Sequence, residues 1–413
     1  MKGIFVVLDG LGDQPHKLLE GMTPLEAAET PNLDFFAARG EQGFLYPVKP
    51  GFVPGTNEAL TNIFGNQLKD SARGPIEARG ADMEITRGDL CLRVNFATID
   101  NLEKGNILDR RAGRTLTTSE AESLVRAINK IPFSCSFELK PIIQHRGVLV
   151  LKGGFSDNVL LNDIHYSIGK VVHTDKVSNC KPLDKEDNSQ YTANLLNDFL
   201  DKTYKVLENH PVNKRRKEKG LLPANYLLLR GAGVEKPKFK QYKKWLSVTY
   251  MSLEKGFSEL SGMENFSFEY PVLKDLDSYD NLWQGLRKAC MTAVKTIKKN
   301  QDKFDYAYVH IKETDIPGHD NKPIEKKKML EYIDRTLFKV LKRFAPPRDI
   351  NLVVTGDHST VCNMKKHTDD PVPVLFYNGA IPRAKQFNEK EAKKGTLGRM
   401  EGHEILRKVG FVK

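Results

Sequence analysis

Six side chains of metal-binding type stand at places where a chain turns. Asp9 follows an apolar run. Asp315 and His319 are four residues apart, Asp357 and His358 are adjacent, and His367 follows nine residues later. Carboxylates mixed with imidazoles suit a borderline divalent ion such as Zn²⁺ or Mn²⁺. The Asp315-to-His319 spacing puts both groups on one face of a helical turn. Asp357 and His358 would point apart in an extended strand, so a shared site needs a bend there, which Gly356 permits. Singly, each has a plainer reading: an aspartate at a strand end often caps a helix, and a lone histidine is often an ordinary polar residue.

The elements that must hold these groups are legible. Residues 3–8 (GIFVVL), 306–312 (YAYVHIK), 351–355 (NLVVT) and 372–377 (VPVLFY) are continuous apolar or β-branched runs ending at turns. Such runs predict buried parallel strands. Helical periodicity fills 194–208, 282–300 and 323–344. Strands alternating with helices predict an α/β parallel sheet. Open parallel sheets collect ligands beyond the carboxyl ends of their strands. Asp9, Asp315, Asp357 and His358 are therefore expected at one sheet edge. Between these elements the pattern changes to short alternating runs such as 90–98 and 147–151, with dense turn signals. This predicts an inserted α+β domain over 71–189, leaving 1–70 and 190–413 as the core.

The chain has 413 residues, 39% hydrophobic and 28% charged, a composition of globular proteins. No apolar stretch reaches the roughly 20 residues of a membrane span. The first eight residues are only a strand's length and lack the basic flank and cleavage site of a signal peptide. Five scattered cysteines form no CxxC pair, so neither a disulfide framework nor a zinc ribbon is expected, and a cytoplasmic setting fits. The net charge is +11, with lysine-rich runs at 214–217 and 326–328. These read as solvated helix faces. No aromatic-interleaved basic motif marks a nucleic-acid binder.

Several segments carry a resemblance. Residues 8–13 (LDGLGD), 309–320 (VHIKETDIPGHD) and 355–373 (TGDHSTVCNMKKHTDDPVP) are similar to the metal-ligand segments of the alkaline phosphatase superfamily, and 23–33 (TPLEAAETPNL) to the segment after the first of them. Residues 72–80 (ARGPIEARG), 93–98 (RVNFAT), 109–114 (DRRAGR) and 210–220 (HPVNKRRKEKG) resemble the archaeal-type cofactor-independent phosphoglycerate mutases. The resemblance runs from residue 3 to about 405. It implies an alkaline-phosphatase-like core with a smaller inserted domain. It also implies interconversion of 3-phosphoglycerate and 2-phosphoglycerate, a glycolytic and gluconeogenic isomerisation, through a phosphoenzyme. Two divalent ions (Mn, Zn, Co or Mg) are implied, one held by Asp9, Asp357, His358 and the nucleophile, the other by Asp315, His319 and His367. The family's nucleophile is a serine followed four residues later by a histidine. Here those positions hold Thr56 and Leu60. Thr56 keeps the hydroxyl. Its plainer reading is a helix N-cap after Pro54-Gly55.

Shuttling a phosphoryl group within a small acid requires a grip on its carboxylate, which arginine forks supply. Candidates are Arg93, Arg110, Arg111, Arg114, His145 with Arg146, and Lys312. Asp109 is a candidate general acid or base. Three cations packed into 110–114 repel unless an anion joins them. The alternatives are a surface salt bridge for each arginine and, for the whole chain, a phosphatase or phosphonate-processing relative or an impaired ligand-binding paralogue. The expected partner is a small phosphorylated acid, with no nucleic acid and no membrane. A homo-oligomer stays open.

Overall fold

A computed structural model describes the chain except residues 164–165, 168–169, 172–174, 274–276 and 380–385. The four predicted strands form at Gly3–Leu8, Tyr306–Ile311, Asn351–Thr355 and Val372–Tyr377. All are almost wholly buried, because helices cover both faces of the sheet they build. That sheet has eight strands. Its order is Glu264–Asn265, Trp245–Val248, Tyr306–Ile311, Gly3–Leu8, Asn351–Thr355, Val372–Tyr377, Gly40–Tyr46 and Gly398–Glu401. The first five run parallel.

Val372–Tyr377 departs from the expected parallel arrangement and runs antiparallel to Asn351–Thr355. Residues 356–371 connect the two, and their only helix is the three-residue turn Cys362–Met364. A parallel return needs a crossover of a dozen or more residues, usually a helix. This connection instead folds into a small hairpin, Ser359–Val361 against Lys366–Thr368, and the chain comes straight back.

A second sheet is antiparallel, ordered Tyr226–Gly233, Leu90–Ile99, Arg146–Leu151 and Phe137–Ile143. Helices Thr118–Ile128 and Asp187–Glu208 bury apolar faces on it. The expected boundary at residue 189 therefore falls inside a helix of this second layer, whose core runs on to Tyr226–Leu229. The run YLLLRGAG reads equally well as a strand of either sheet, because periodicity does not reveal a pairing partner. Its antiparallel register with Leu90–Ile99 decides the matter.

Helix Arg73–Gly80 joins the two layers by packing on Ser252–Leu260 of the main layer and on Leu90–Ile99 of the second. Glycine makes this approach feasible. A Cβ on Gly256 would lie 1.9 Å from the Ile76 carbonyl oxygen, and one on Gly80 would lie 1.8 Å from that of Ser252. Gly256→Ala is therefore expected to destabilise the fold by about 1–3 kcal/mol through overpacking, although alanine in an unobstructed helix would stabilise by about 1 kcal/mol. Gly154→Ala, whose Cβ meets nothing within 4 Å, should stay within about 0.5 kcal/mol. Denaturant unfolding of both variants checks this, and equal midpoints would refute the close-crossing account.

Candidate active site

The three central parallel strands end side by side. Gly3–Leu8 delivers Asp9, Tyr306–Ile311 delivers Lys312 and Asp315, and Asn351–Thr355 delivers Asp357 and His358. The backbone N–H of Gly10 donates to Asp357 Oδ1 at 3.1 Å, tying the first strand end to the third. Gly356 serves close approach rather than an unusual dihedral: a Cβ there would lie 2.9 Å from that of Leu11. Asp357 and His358 nevertheless turn toward one centre, with His358 Nε2 3.3 Å from Asp357 Oδ2.

Two groups of side chains result. In the first, His358 Nε2 lies 3.3 Å from Asp9 Oδ1 and 3.4 Å from the Thr56 hydroxyl. In the second, His319 Nε2 lies 3.2 Å from His367 Nε2 and 3.4 Å from Asp315 Oδ2, and His367 lies 3.7 Å from Asp315 Oδ1. The two groups touch where the rings of His358 and His367 stack at 3.6 Å.

The protonation of the rings follows from their far sides. His319 Nδ1 sits 3.0 Å from the Lys365 carbonyl and His367 Nδ1 sits 2.9 Å from the Pro54 carbonyl. A carbonyl only accepts, so each Nδ1 carries a proton, and in the neutral ring Nε2 presents a lone pair. Those two lone pairs face each other and Asp315. Burial, then the neighbouring His358, holds His367 well below the usual histidine range. In the first group, Asp9 Oδ1 and Asp357 Oδ2 are enclosed and accept no hydrogen bond among the described residues. Buried electron-pair donors facing one another repel unless a cation lies between them. The donor set fits divalent ions, and backbone carbonyls holding the far nitrogens are the usual support of metal-binding histidines.

Thr56 is not the N-cap. Gly55 caps the helix Thr56–Ile63, and its N–H donates to Glu58 Oε2 at 2.9 Å. The Thr56 hydroxyl is free of that task and lies 3.4 Å from the Lys312 ammonium as well as from His358. Leu60, one helical turn on, is fully buried in an apolar cluster with Phe5, Phe64 and Tyr308.

Lys312 contacts Asp9 and lies 2.9 Å from Glu254. Burial lowers its pKa, against the pull of Asp357 and Asp315. His310, which the sequence reading passed over, lies 3.3 Å from Asp9 Oδ2 and 2.7 Å from the Tyr308 hydroxyl. Burial pushes it down to about 4, so it is neutral at physiological pH. A polar residue two positions before Lys312 on a buried strand was the available signal. Glu254 gave none, since it reads as one more exposed helix acid.

The second layer supplies the arginines. Arg93 is buried, 3.3 Å from Glu77, which Arg73 also contacts. Burial, then Arg73 and Arg230, lowers the Arg93 pKa. His145 is likewise held well below its ordinary range by burial and by Arg146, Arg111, Arg93 and Arg114. Arg73, Arg230 and Glu77 lay outside the expected set. Arg110 pairs with Asp163 at 2.6 Å, and Arg114 pairs with Asp320, the residue after His319. Asp109 Oδ1 accepts the backbone N–H groups of Arg111 and Gly113 at 2.7 and 2.9 Å. That turn carries positive φ at Ala112 and Arg114. Asp109, Arg110, Arg111 and Arg114 line a cavity of about 270 Å³.

Known proteins are similar to this chain over nearly its whole length. The family model for 2,3-bisphosphoglycerate-independent phosphoglycerate mutase matches residues 37–213. The chain is 37% identical to the Pyrococcus horikoshii enzyme of that name over 418 residues, spanning 98% of this chain and 95% of that one. It is 35% identical to one from Archaeoglobus fulgidus, spanning 98% and 96%. A solved Pyrococcus horikoshii protein superposes with a TM-score of 0.77 at 30% identity, covering 100% of this chain and 98% of that one. The cofactor-independent phosphoglycerate mutase of Thermoplasma acidophilum gives 0.59 at 30% identity, covering 98% of each. Among the described residues, no helix is long and apolar enough to cross a membrane. The chain belongs to the 2,3-bisphosphoglycerate-independent phosphoglycerate mutases, isomerases that move a phosphoryl group within one small acid.

Proposed function

We propose that the chain interconverts 3-phosphoglycerate and 2-phosphoglycerate through a phosphoenzyme on Thr56, with two divalent ions at the strand ends. The observation that carries this reading is the convergence of deprotonated donors around a hydroxyl that caps nothing. Asp9, Asp357, His358 and Thr56 would hold one ion, and Asp315, His319 and His367 the other. Manganese, zinc and cobalt suit such mixed ligands, and magnesium suits the carboxylates among them. When bound, such ions neutralise charge on a transferring phosphoryl group and favour ionisation of a hydroxyl.

The remaining roles belong to side chains. The Thr56 oxygen bonds to phosphorus as the substrate's oxygen–phosphorus bond breaks, and the reverse step returns the group to the other hydroxyl. Lys312, held between Asp9 and Glu254, keeps a positive charge beside Thr56. Arg93, Arg111 and His145, together with Arg146, grip the glycerate carboxylate from the second layer. Arg110 and Arg114 join them only by sharing or leaving Asp163 and Asp320. Asp109, fixed in its turn, exchanges a proton with the substrate hydroxyl. The setting is cytoplasmic, consistent with free buried thiols and soluble substrates.

Thr56→Ala should lower mutase activity by on the order of a thousandfold or more. It should leave two ions bound and, at this buried position, cost no more than about 1–2 kcal/mol of unfolding stability, because no cap is lost. Thr56→Ser should keep substantial activity. Phosphopeptide mapping of enzyme quenched in turnover should find the label on Thr56. A label on Thr61 or Ser71 would reassign the nucleophile.

Chelation should abolish activity, and Mn²⁺, Zn²⁺, Co²⁺ or Mg²⁺ added singly should restore it to differing degrees. Asp315→Asn should weaken one ion by roughly tenfold or more while leaving the circular dichroism spectrum unchanged. Full activity in protein that elemental analysis finds metal-free would refute the two-ion reading.

A further inference from the structure

We propose that Thr360 is a positioning residue that couples the two metal-ligand groups. The inference rests on the assignment of His358 and Asp315 to two ions. The Thr360 side chain is fully buried. Its hydroxyl donates to Asp315 Oδ1 at 2.7 Å and lies 3.0 Å from His358 Nδ1. A hydroxyl has one proton. That proton points to the Asp315 carboxylate oxygen, which accepts it. What faces His358 is then an oxygen lone pair, and His358 Nδ1 must be the donor. That leaves the His358 Nε2 lone pair directed at Asp9, Asp357 and Thr56.

One hydroxyl thus orients a ligand in each group at once. It does for His358 what the carbonyls of Lys365 and Pro54 do for His319 and His367. It differs from them in passing the hydrogen-bond chain on to a ligand of the other group.

The surrounding backbone is shaped to this side chain. A Cβ on Gly10 would lie 2.6 Å from Thr360 Oγ1 and 2.8 Å from Asp315 Oδ1. A Cβ on Gly318 would lie 2.7 Å from Thr360 Cγ2. The Thr360 carbonyl is fixed by the buried ammonium of Lys326 at 3.0 Å, which also binds Asp13 at 2.8 Å. Both ends of the residue are therefore clamped, one by a buried ion pair and one by the ligands it orients.

The test is a Mn²⁺ titration of chelator-stripped protein, with free Mn²⁺ read by electron paramagnetic resonance. The parent should bind two equivalents. If it does not, the two-ion assignment fails, independently of Thr360. Given two, Thr360→Val, which keeps the shape and loses the hydroxyl, should weaken both equivalents by about tenfold to a hundredfold. Thr360→Ser should restore both. Unchanged binding in the valine variant, or weakening of one equivalent alone, overturns the coupling. Should that variant not fold, ¹⁵N-histidine spectra of the stripped parent decide, with the His358 signals assigned by difference from His358→Gln. Above the ring's ordinary pKa they should report a proton on Nδ1 and a bare Nε2, and the opposite tautomer overturns the proposal.

Discussion

Repulsion among buried lone pairs governs this molecule. At the edge of the main sheet, carboxylate oxygens and imidazole Nε2 atoms face one another at 3.2–3.3 Å. Left to itself, a chain would relieve this by turning the side chains out to water or protonating them. The first route is closed. Backbone carbonyls and the Thr360 hydroxyl occupy the far nitrogens, and the strands carrying the carboxylates are locked in a parallel register by the core on both faces. The stability of the apolar sheet sustains a polar arrangement that would not persist alone, and that tension makes the site receptive to cations.

A second unfavourable arrangement, of opposite sign, lies across the interface. Arg73 and Arg93 converge on Glu77, with Arg146 and Arg230 close enough to perturb them. Glu77 is shared by Arg73 and Arg93, and Asp163 by Arg110 and Arg230, so guanidinium groups outnumber the carboxylates paired with them in the second layer, whereas the main layer is short of cations. Helix Arg73–Gly80 carries part of the arginine cluster and packs glycine to backbone on the helix that carries Glu254. A phosphorylated acid brings negative charge to the arginines while divalent ions bring positive charge to the strand ends. The two deficits are complementary.

Much of this was legible beforehand. The strands announced themselves because a strand covered on both faces must be continuously apolar, and the candidate ligands Asp9, Asp357 and His358 stood out because they follow the ends of those strands. Thr56 came from position within a resemblance, and its freedom from capping emerged only from the Gly55–Glu58 hydrogen bond. Three things lay beyond the sequence for physical reasons. Tyr226–Gly233 gives no sign of which sheet it joins, since a pairing partner is a long-range choice. Glu254 and Glu77 look like ordinary helix acids until tertiary packing buries them. Thr360 resembles any strand threonine, and its role depends on two ligands that meet only in three dimensions.

The short antiparallel return between Asn351–Thr355 and Val372–Tyr377 has a kinetic meaning. Residues 356–371 carry Asp357, His358, Thr360 and His367, contributing to both ligand groups from one small hairpin. Opening that hairpin would dismantle both groups in a single event, without disturbing the parallel strands behind them. In the proposed two-ion enzyme, loss of either ion is thereby tied to the breathing of one local unit.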